Sequence, residues 1–224
     1  MSSSLPALPG AERVVALGRA TLILGNGLAV LPALAGRFHA LISDPPYGID
    51  YDPSSPGGSK WDVDHIVGDN RPFDPCPLLG WVEPVVLFGA NNFASKLPDS
   101  RAWFVWDKRP GMRSMCFSDC ELAWSSIDGP ARMIRYPWSG ANRGPERGEH
   151  WHPTQKPIEV MRWIIETVTA PGDIVLDPYM GSGTTGVAAL QCGRDFIGIE
   201  IQERWFRAAE TRIRRELDQG RLPL

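Results

Sequence analysis

The chain has 224 residues, a formal net charge of −3, 43% hydrophobic and 22% charged residues, enough for one substantial core and ordinary for a soluble domain spanning 1–224. The start, Met1-Ser2-Ser3-Ser4-Leu5-Pro6, lacks the basic and apolar regions of a signal peptide, and the most apolar window, Leu22 to Ala35, is broken by Asn26 and Pro32 and is too short to span a bilayer. The net charge argues against whole-surface attraction to nucleic acid, but it is unevenly spread: residues 1–100 carry −4, residues 101–147 carry +3 and residues 148–224 carry −2.

Residues 1–12 read as disordered. Ala20 to Leu24 reads as a strand stopped by Gly25-Asn26-Gly27, followed by a short helix from Leu28 to about Leu34. A second buried strand, Ala40-Leu41-Ile42, runs into Asp44-Pro45-Pro46-Tyr47. Residues 50–77 are thick with Gly, Pro, Ser and Asp, and are expected to form a mobile flap beside that turn. Val85 to Phe88, Ala102 to Trp106 and Cys120 to Trp124 read as further strands, and residues 107–150 as a small, irregular, basic insert. Cys116 and Cys120 with His150 and His152 can be drawn as a zinc site, but neither pair has the usual finger spacing, so no metal is expected.

His152-Pro153-Thr154-Gln155-Lys156-Pro157 opens a helix whose apolar stripe is Ile158, Met161, Ile164, Ile165 and Val168. A strand at Ile174 to Leu176 leads into the Gly181–Gly186 turn, then a helix from about Thr184 to Gln191 with Gly193 near its C-cap. The strand Phe196 to Ile199 ends at Glu200. The last helix carries Trp205, Ala209, Ile213 and Leu217 and stops at Gly220. Strands alternating with helices predict an α/β fold with a doubly wound, mainly parallel sheet.

Two stretches carry chemistry. Asp44-Pro45-Pro46-Tyr47 is a stiff turn at a strand end, where open α/β sheets bind ligands. The prolines leave carbonyl oxygens without competing N–H donors. A carboxylate on one side and an aromatic ring on the other suit a planar group bearing an NH2. The second stretch is Asp177-Pro178-Tyr179-Met180-Gly181-Ser182-Gly183-Thr184-Thr185-Gly186. Gly181, Gly183 and Gly186 fit G-x-G-x-x-G between a strand and a helix, with Glu200 19 residues beyond Gly181. Such a turn suits a ligand carrying a ribose, and no lysine follows it as in a P-loop. Two ligands fit: NAD or S-adenosylmethionine. An NAD turn usually stands early in the chain; here the sheet has to be completed by strands that precede it.

Together these residues resemble the amino-group DNA methyltransferases, which act on adenine N6 or cytosine N4. Asp44-Pro45-Pro46-Tyr47, then a target-recognition segment, then His152 to Pro157 and the Asp177 to Thr185 turn, stand in the permuted order called beta. The similarity covers about residues 20 to 217 and is nearest in form to short phage-type adenine enzymes. It implies a Rossmann-like fold, S-adenosyl-L-methionine as cofactor, DNA as partner, and a bacterial or phage-encoded cytoplasmic enzyme acting at the nucleoid. It also implies methyl transfer to a flipped adenine, with cytosine N4 transfer or a non-catalytic DNA-binding protein as alternatives. Asp44, Pro45, Pro46 and Tyr47 would be catalytic. Asn26, Thr154, Lys156, Asp177, Tyr179, Gly181, Ser182, Gly183, Thr184 and Glu200 would line the cofactor, with Asn26 where the family often has Asp and Tyr179 where it usually has Phe. Lys108, Arg109, Arg113, Arg132, Arg135 and Arg143 are the candidate DNA contacts. The insert is short for reading a DNA sequence, which leaves room for a second subunit in a homodimer.

Overall fold

The computed structural model describes residues 8–50, 66–111, 118–138, 151 and 154–219. Its strands are β1 (Ala11–Leu17), β2 (Ala20–Gly25), β3 (Ala40–Ser43), β4 (Val85–Phe88), β5 (Trp103–Asp107), β6 (Cys120–Ser125), β7 (Arg132–Arg135), β8 (Ile174–Asp177) and β9 (Asp195–Glu200). They form one sheet in the order β1-β2-β9-β8-β3-β4-β6-β5-β7. Five strands, β2, β9, β8, β3 and β4, run parallel to one another. β6 runs against both β4 and β5, β7 runs with β5, and β1 pairs antiparallel with β2. The result is a mostly parallel, Rossmann-like α/β sheet.

The strands are buried on both faces, so neighbouring apolar residues serve different cores. Leu22, Leu24, Ala40, Ile42, Val86 and Phe88 join a core with Met161 and Ile164, Ala188 and Ala189, and Phe206, Ala209 and Ile213. Those residues come from the helices α2 (Ile158–Val168), α3 (Thr184–Gln191) and α4 (Glu203–Gln219). Ile23, Leu41, Val85 and Leu87 face the other way, toward Val30, Leu31, Leu34, Phe38, Leu78 and Phe93. That second layer is thin: α1 (Gly27–Val30) is a single turn continued by a 3-10 turn over Leu31–Leu34, because Pro32 cannot donate into a longer α-helix.

Two expectations change. The start of the fold lies before residue 12: Leu8 is buried and β1 begins at Ala11. β1 and β2 form a hairpin through Gly18 and Arg19, with Gly18 at φ +53°, a positive value that glycine adopts freely. The insert is also less irregular than its composition suggests. β7 adds an edge to β5, and Ile134 packs against the core while Arg132, Met133 and Arg135 stay exposed. Most of the expected flap, residues 51–65, lies outside the described residues, as do Cys116, His150 and His152 of the zinc alternative. Among the described residues no helix is long and apolar enough to cross a membrane.

Candidate active site

Because β2, β9, β8, β3 and β4 share a direction, their carboxyl ends form one rim. Asn26, Glu200, Asp177, Asp44 and Gly89 stand at or just beyond those ends. The glycine turn follows β8. Asp177 is 2% exposed and organises this turn from inside. Its Oδ1 accepts from Ser43 Oγ at 2.6 Å and from the Tyr179 N–H at 3.0 Å, and its Oδ2 accepts from Thr185 Oγ1 at 2.6 Å. Burial raises the Asp177 carboxyl to about 6 even though these donors favour the charged form. Asp177 therefore braces the turn from beneath.

The glycines divide the work. Gly181, at φ +51°, borders open space where a side chain would stand, so its backbone is available to a ligand. Gly183 lies against Ala209, and Gly186 against Phe196 and Ile213, so these two let α3 close on its neighbours. The side chains of Ser182 and Thr184 turn inward as well: Arg212 Nη1 donates to Ser182 O at 2.9 Å, Ser182 Oγ at 3.1 Å and Thr184 Oγ1 at 3.0 Å. Arg212 was not anticipated from the sequence. Its signal was a charged residue among the apolar positions of the last helix.

Glu200 is 8% exposed; its Oε2 accepts from the Gly181 N–H at 3.0 Å and its Oε1 from the Gln202 N–H at 2.8 Å. Burial lifts it to about 7, against the pull of those backbone donors. The carboxylate retains acceptor capacity beyond these bonds. Tyr179 is half-buried, its ring edge-on to Phe73 at 6.0 Å, and burial raises its hydroxyl to about 12. Asn26 is exposed, and its Oδ1 accepts from the N–H groups of Leu28 and Ala29 at 3.0 and 3.4 Å, capping α1. The next residue, Gly27, touches the Pro178 backbone, so the β2 and β8 loops are neighbours.

The second constellation stands after β3. Asp44 Oδ1 accepts from the Tyr47 hydroxyl at 2.5 Å, and Oδ2 from Lys156 Nζ at 2.5 Å. Lys156 Nζ also lies 3.1 Å from the Tyr47 hydroxyl and 3.2 Å from Glu121 Oε2. Glu121 Oε1 is in turn held by Lys108 Nζ at 3.1 Å. Burial raises the Asp44 carboxyl, with Lys156 opposing and Glu121 reinforcing the rise. Glu121 moves the other way: burial would raise it, but Lys156 and Lys108 outweigh burial and hold it below its ordinary value. Burial works against the charge on Lys156 too, yet Asp44 and Glu121 raise it well above the usual lysine range. At neutral pH it is an ammonium.

Lys156 thus meets the Asp44–Tyr47 turn, whereas the resemblance implies a place beside the cofactor. Thr154 is half-buried two residues before it. The Tyr47 ring packs on the Gly89 backbone, and Gly89, at φ +66°, leaves no room for a side chain there. Its hydroxyl turns to Asp44, so Tyr47 is engaged within the turn. Pro45 is buried and Pro46 half-buried. Asp69, which nothing in the spacing marked, braces the end of the turn by accepting from the Gly48 N–H at 2.8 Å.

The expected DNA contacts separate into two groups. Lys108 and Arg109 follow β5, and their side chains are 20% and 11% exposed; each faces an acid, Glu121 for Lys108 and Asp119 at 3.8 Å for Arg109. Arg132 and Arg135 are exposed on the edge strand β7, with Arg135 3.7 Å from Asp107. Arg113 and Arg143 lie outside the described residues.

Comparison with known proteins agrees with this rim. The chain is 34% identical over 119 residues to the Type II methyltransferase M2.LlaDCHI of Lactococcus lactis subsp. cremoris, a match covering 52% of this chain and 43% of that protein. The matches span only 34% to 43% of the length of such curated relatives. Among solved structures, M1.HpyAVI, determined as a SAM complex, superposes with a TM-score of 0.53 at 22% identity, covering 87% of this chain and 98% of that one. The PvuII DNA methyltransferase, described as cytosine-N4-specific, gives 0.59 at 15% identity, covering 93% and 90%. These two likenesses establish the fold. The profile of the N6/N4 methyltransferase family, described as DNA methylase, matches residues 99–211, half of the chain, and with the two motifs on one rim the chain belongs to that family.

Proposed function

We propose that this protein transfers a methyl group from S-adenosylmethionine to the exocyclic amine of a base in DNA, with N6 of a flipped adenine as the target. The observation that carries the reading is the 2.6 Å hydrogen bond from Ser43 to Asp177. It ties the residue before the Asp44 turn to the residue that organises the glycine turn, so the two constellations stand side by side on one rim.

The residues fit the cofactor. Gly181 offers open backbone, and Glu200 offers acceptor sites to a ribose at the end of β9. When bound, S-adenosylmethionine supplies a methyl group on a sulfonium centre, open to attack by a nitrogen lone pair. The difficulty lies with the nitrogen, whose lone pair is delocalised into the base. Asp44 and the Pro45 carbonyl accept the two amine hydrogens, which draws the nitrogen out of conjugation and aims its lone pair. As the nitrogen takes the methyl and the carbon–sulfur bond breaks, it becomes positive; the Asp44 carboxylate stabilises it until it sheds one proton to solvent. The base must first leave the duplex at a cost of a few kcal/mol. Stacking on one aromatic ring returns about 1–3 kcal/mol. Tyr47 supplies that ring after its hydroxyl leaves Asp44, and the exposed Arg132 and Arg135 contribute phosphate contacts.

Adenine is favoured because Asp, and not Ser, stands at position 44, following the habit of the family. The test is to incubate the protein with mixed-sequence DNA and methyl-labelled cofactor, digest the DNA and separate the nucleosides. Label in N6-methyldeoxyadenosine is expected. Label in N4-methyldeoxycytidine alone would overturn the base assignment, and no label in any nucleoside would overturn the function.

A further inference from the structure

Lys156 poses a problem for the reaction just described, and its surroundings supply an answer. Both Asp44 oxygens are occupied, Oδ1 by the Tyr47 hydroxyl and Oδ2 by the Lys156 ammonium. The Lys156 side chain is 8% exposed and lies between the rings of Tyr47 and Phe88, 5.5 and 5.4 Å from their centres. An amine that takes Oδ2 displaces this ammonium, and a buried cation without an anion is strongly disfavoured. The acceptor it needs is already beside it. Glu121 Oε2 is 3.2 Å from Lys156 Nζ, is buried, and accepts no hydrogen bond in its present orientation.

Glu121 is well placed for this. β6 runs against its neighbours, so its first residues stand on the same rim as the ends of β3 and β8, with Glu121 opposite Trp106. Two residues on, Ala123 packs into the core covered by α2, the helix that Lys156 precedes. Lys108 fixes the other oxygen of Glu121. Resting on the proposed methyl transfer, we infer that Glu121 is a positioning residue: it takes over the Lys156 ammonium when the target amine engages Asp44. Lys156 then stays paired, and the charge of Asp44 is released to the nitrogen as it becomes positive. Lys108 belongs to the same device as the clamp on Glu121.

The test is a double-mutant cycle read in single-turnover methyl transfer, with cofactor affinity and melting temperature measured alongside. Glu121→Gln is expected to slow transfer about tenfold or more while cofactor affinity stays within about twofold. In a Lys156→Met background the same change is expected to have no further effect, because the cation it serves is gone. Lys108→Met leaves the Glu121 charge in place and guards against a folding defect in the first variant; it is expected to slow transfer a few-fold, again only when Lys156 is present. Unchanged transfer by both Glu121→Gln and Lys108→Met, or the same loss from Glu121→Gln with and without Lys156, would overturn this role and leave the proposed function standing. Absence of methyl transfer by the unaltered protein would overturn both.

Discussion

The two ends of the rim hold their carboxylates differently. At the glycine turn, Asp177 and Glu200 are held by neutral donors: hydroxyls of Ser43 and Thr185 and backbone N–H groups of Tyr179, Gly181 and Gln202. Burial then dominates, and the two carboxyls rise to about 6 and about 7. At the other end, Asp44 and Glu121 share an ammonium, and Glu121 has a second from Lys108. Glu121 is held ionised below its ordinary value. Neutral donors leave a carboxylate with acceptor sites to spare but open to protonation near pH 7. The single ammonium on Asp44 opposes its rise without cancelling it, and only Glu121, with two, falls below its ordinary value; in both cases the cation occupies an oxygen.

The sharpest way to break this contrast is to remove the acceptor at one end only. Asp44→Ala is expected to reduce methyl transfer by about 10³-fold or more, because it removes both the orientation of the amine and the compensating charge. Cofactor affinity, set at the glycine turn, is expected to stay within about threefold by equilibrium titration. Turnover at the unaltered rate in this variant would remove Asp44 from the chemistry. A smaller effect at the same end comes from Gly89→Ala. The added methyl meets the Tyr47 ring on a backbone with φ +66°, so ring and hydroxyl must shift away from Asp44. Transfer is expected to fall about 10- to 100-fold, the scale of a misplacement of about 1 Å. An unaltered transfer rate would show that the seat of Tyr47 on Gly89 does not matter.

The glycine end is probed by pH. A ribose donating to Glu200 binds its ionised form, so protons compete with the cofactor. Affinity is expected to tighten as pH rises through about 7 and to be about tenfold weaker at pH 6 than at pH 8. Glu200→Gln should flatten that profile. Stability of the unliganded protein should trend oppositely. A carboxyl raised from 4.5 to about 7 in the folded state contributes stability that is full below pH 4.5 and lost as pH rises through about 7. Asp177, raised from 3.8 to about 6, adds to the same decline. Melting temperatures of ligand-free protein across pH 5–8, set beside cofactor titrations, check both signs. A flat affinity profile in the unaltered protein would remove Glu200 from the ribose.

The contrast also explains what could be read from residues alone. The glycine turn is contiguous: Asp177 to Thr185 with Glu200 at the next strand end, a spacing the parallel register of β8 and β9 enforces. The buried strands were legible because runs such as Val85 to Phe88 have no solvated face. The charged network was not. Asp44 and Lys156 are 112 positions apart, and Glu121 reaches them only because β6 inserts between β4 and β5. Spacing along the chain carries no trace of that insertion. β1 was missed for a different reason: as an edge strand with one half-solvated face, its Val14 is exposed and its alternation weak.

Asn26 provides the smallest and most selective test, because its two proposed uses compete for one oxygen. In the structure Oδ1 caps α1 through Leu28 and Ala29. By resemblance to the family, the same oxygen accepts from the adenine amine of the cofactor. If the cap is its main role, Asn26→Ala costs about 1 kcal/mol, a fall of about 2–4 °C in melting temperature, and leaves cofactor affinity within about twofold. Asn26→Asp keeps the acceptor and places a negative charge at a helix N-terminus, so it restores the melting temperature. A tenfold loss of affinity in Asn26→Ala with an unchanged melting temperature would move the residue from the frame of the rim to its ligand. The backbone approach of Gly27 to Pro178 would then be what aligns the β2 loop with the glycine turn.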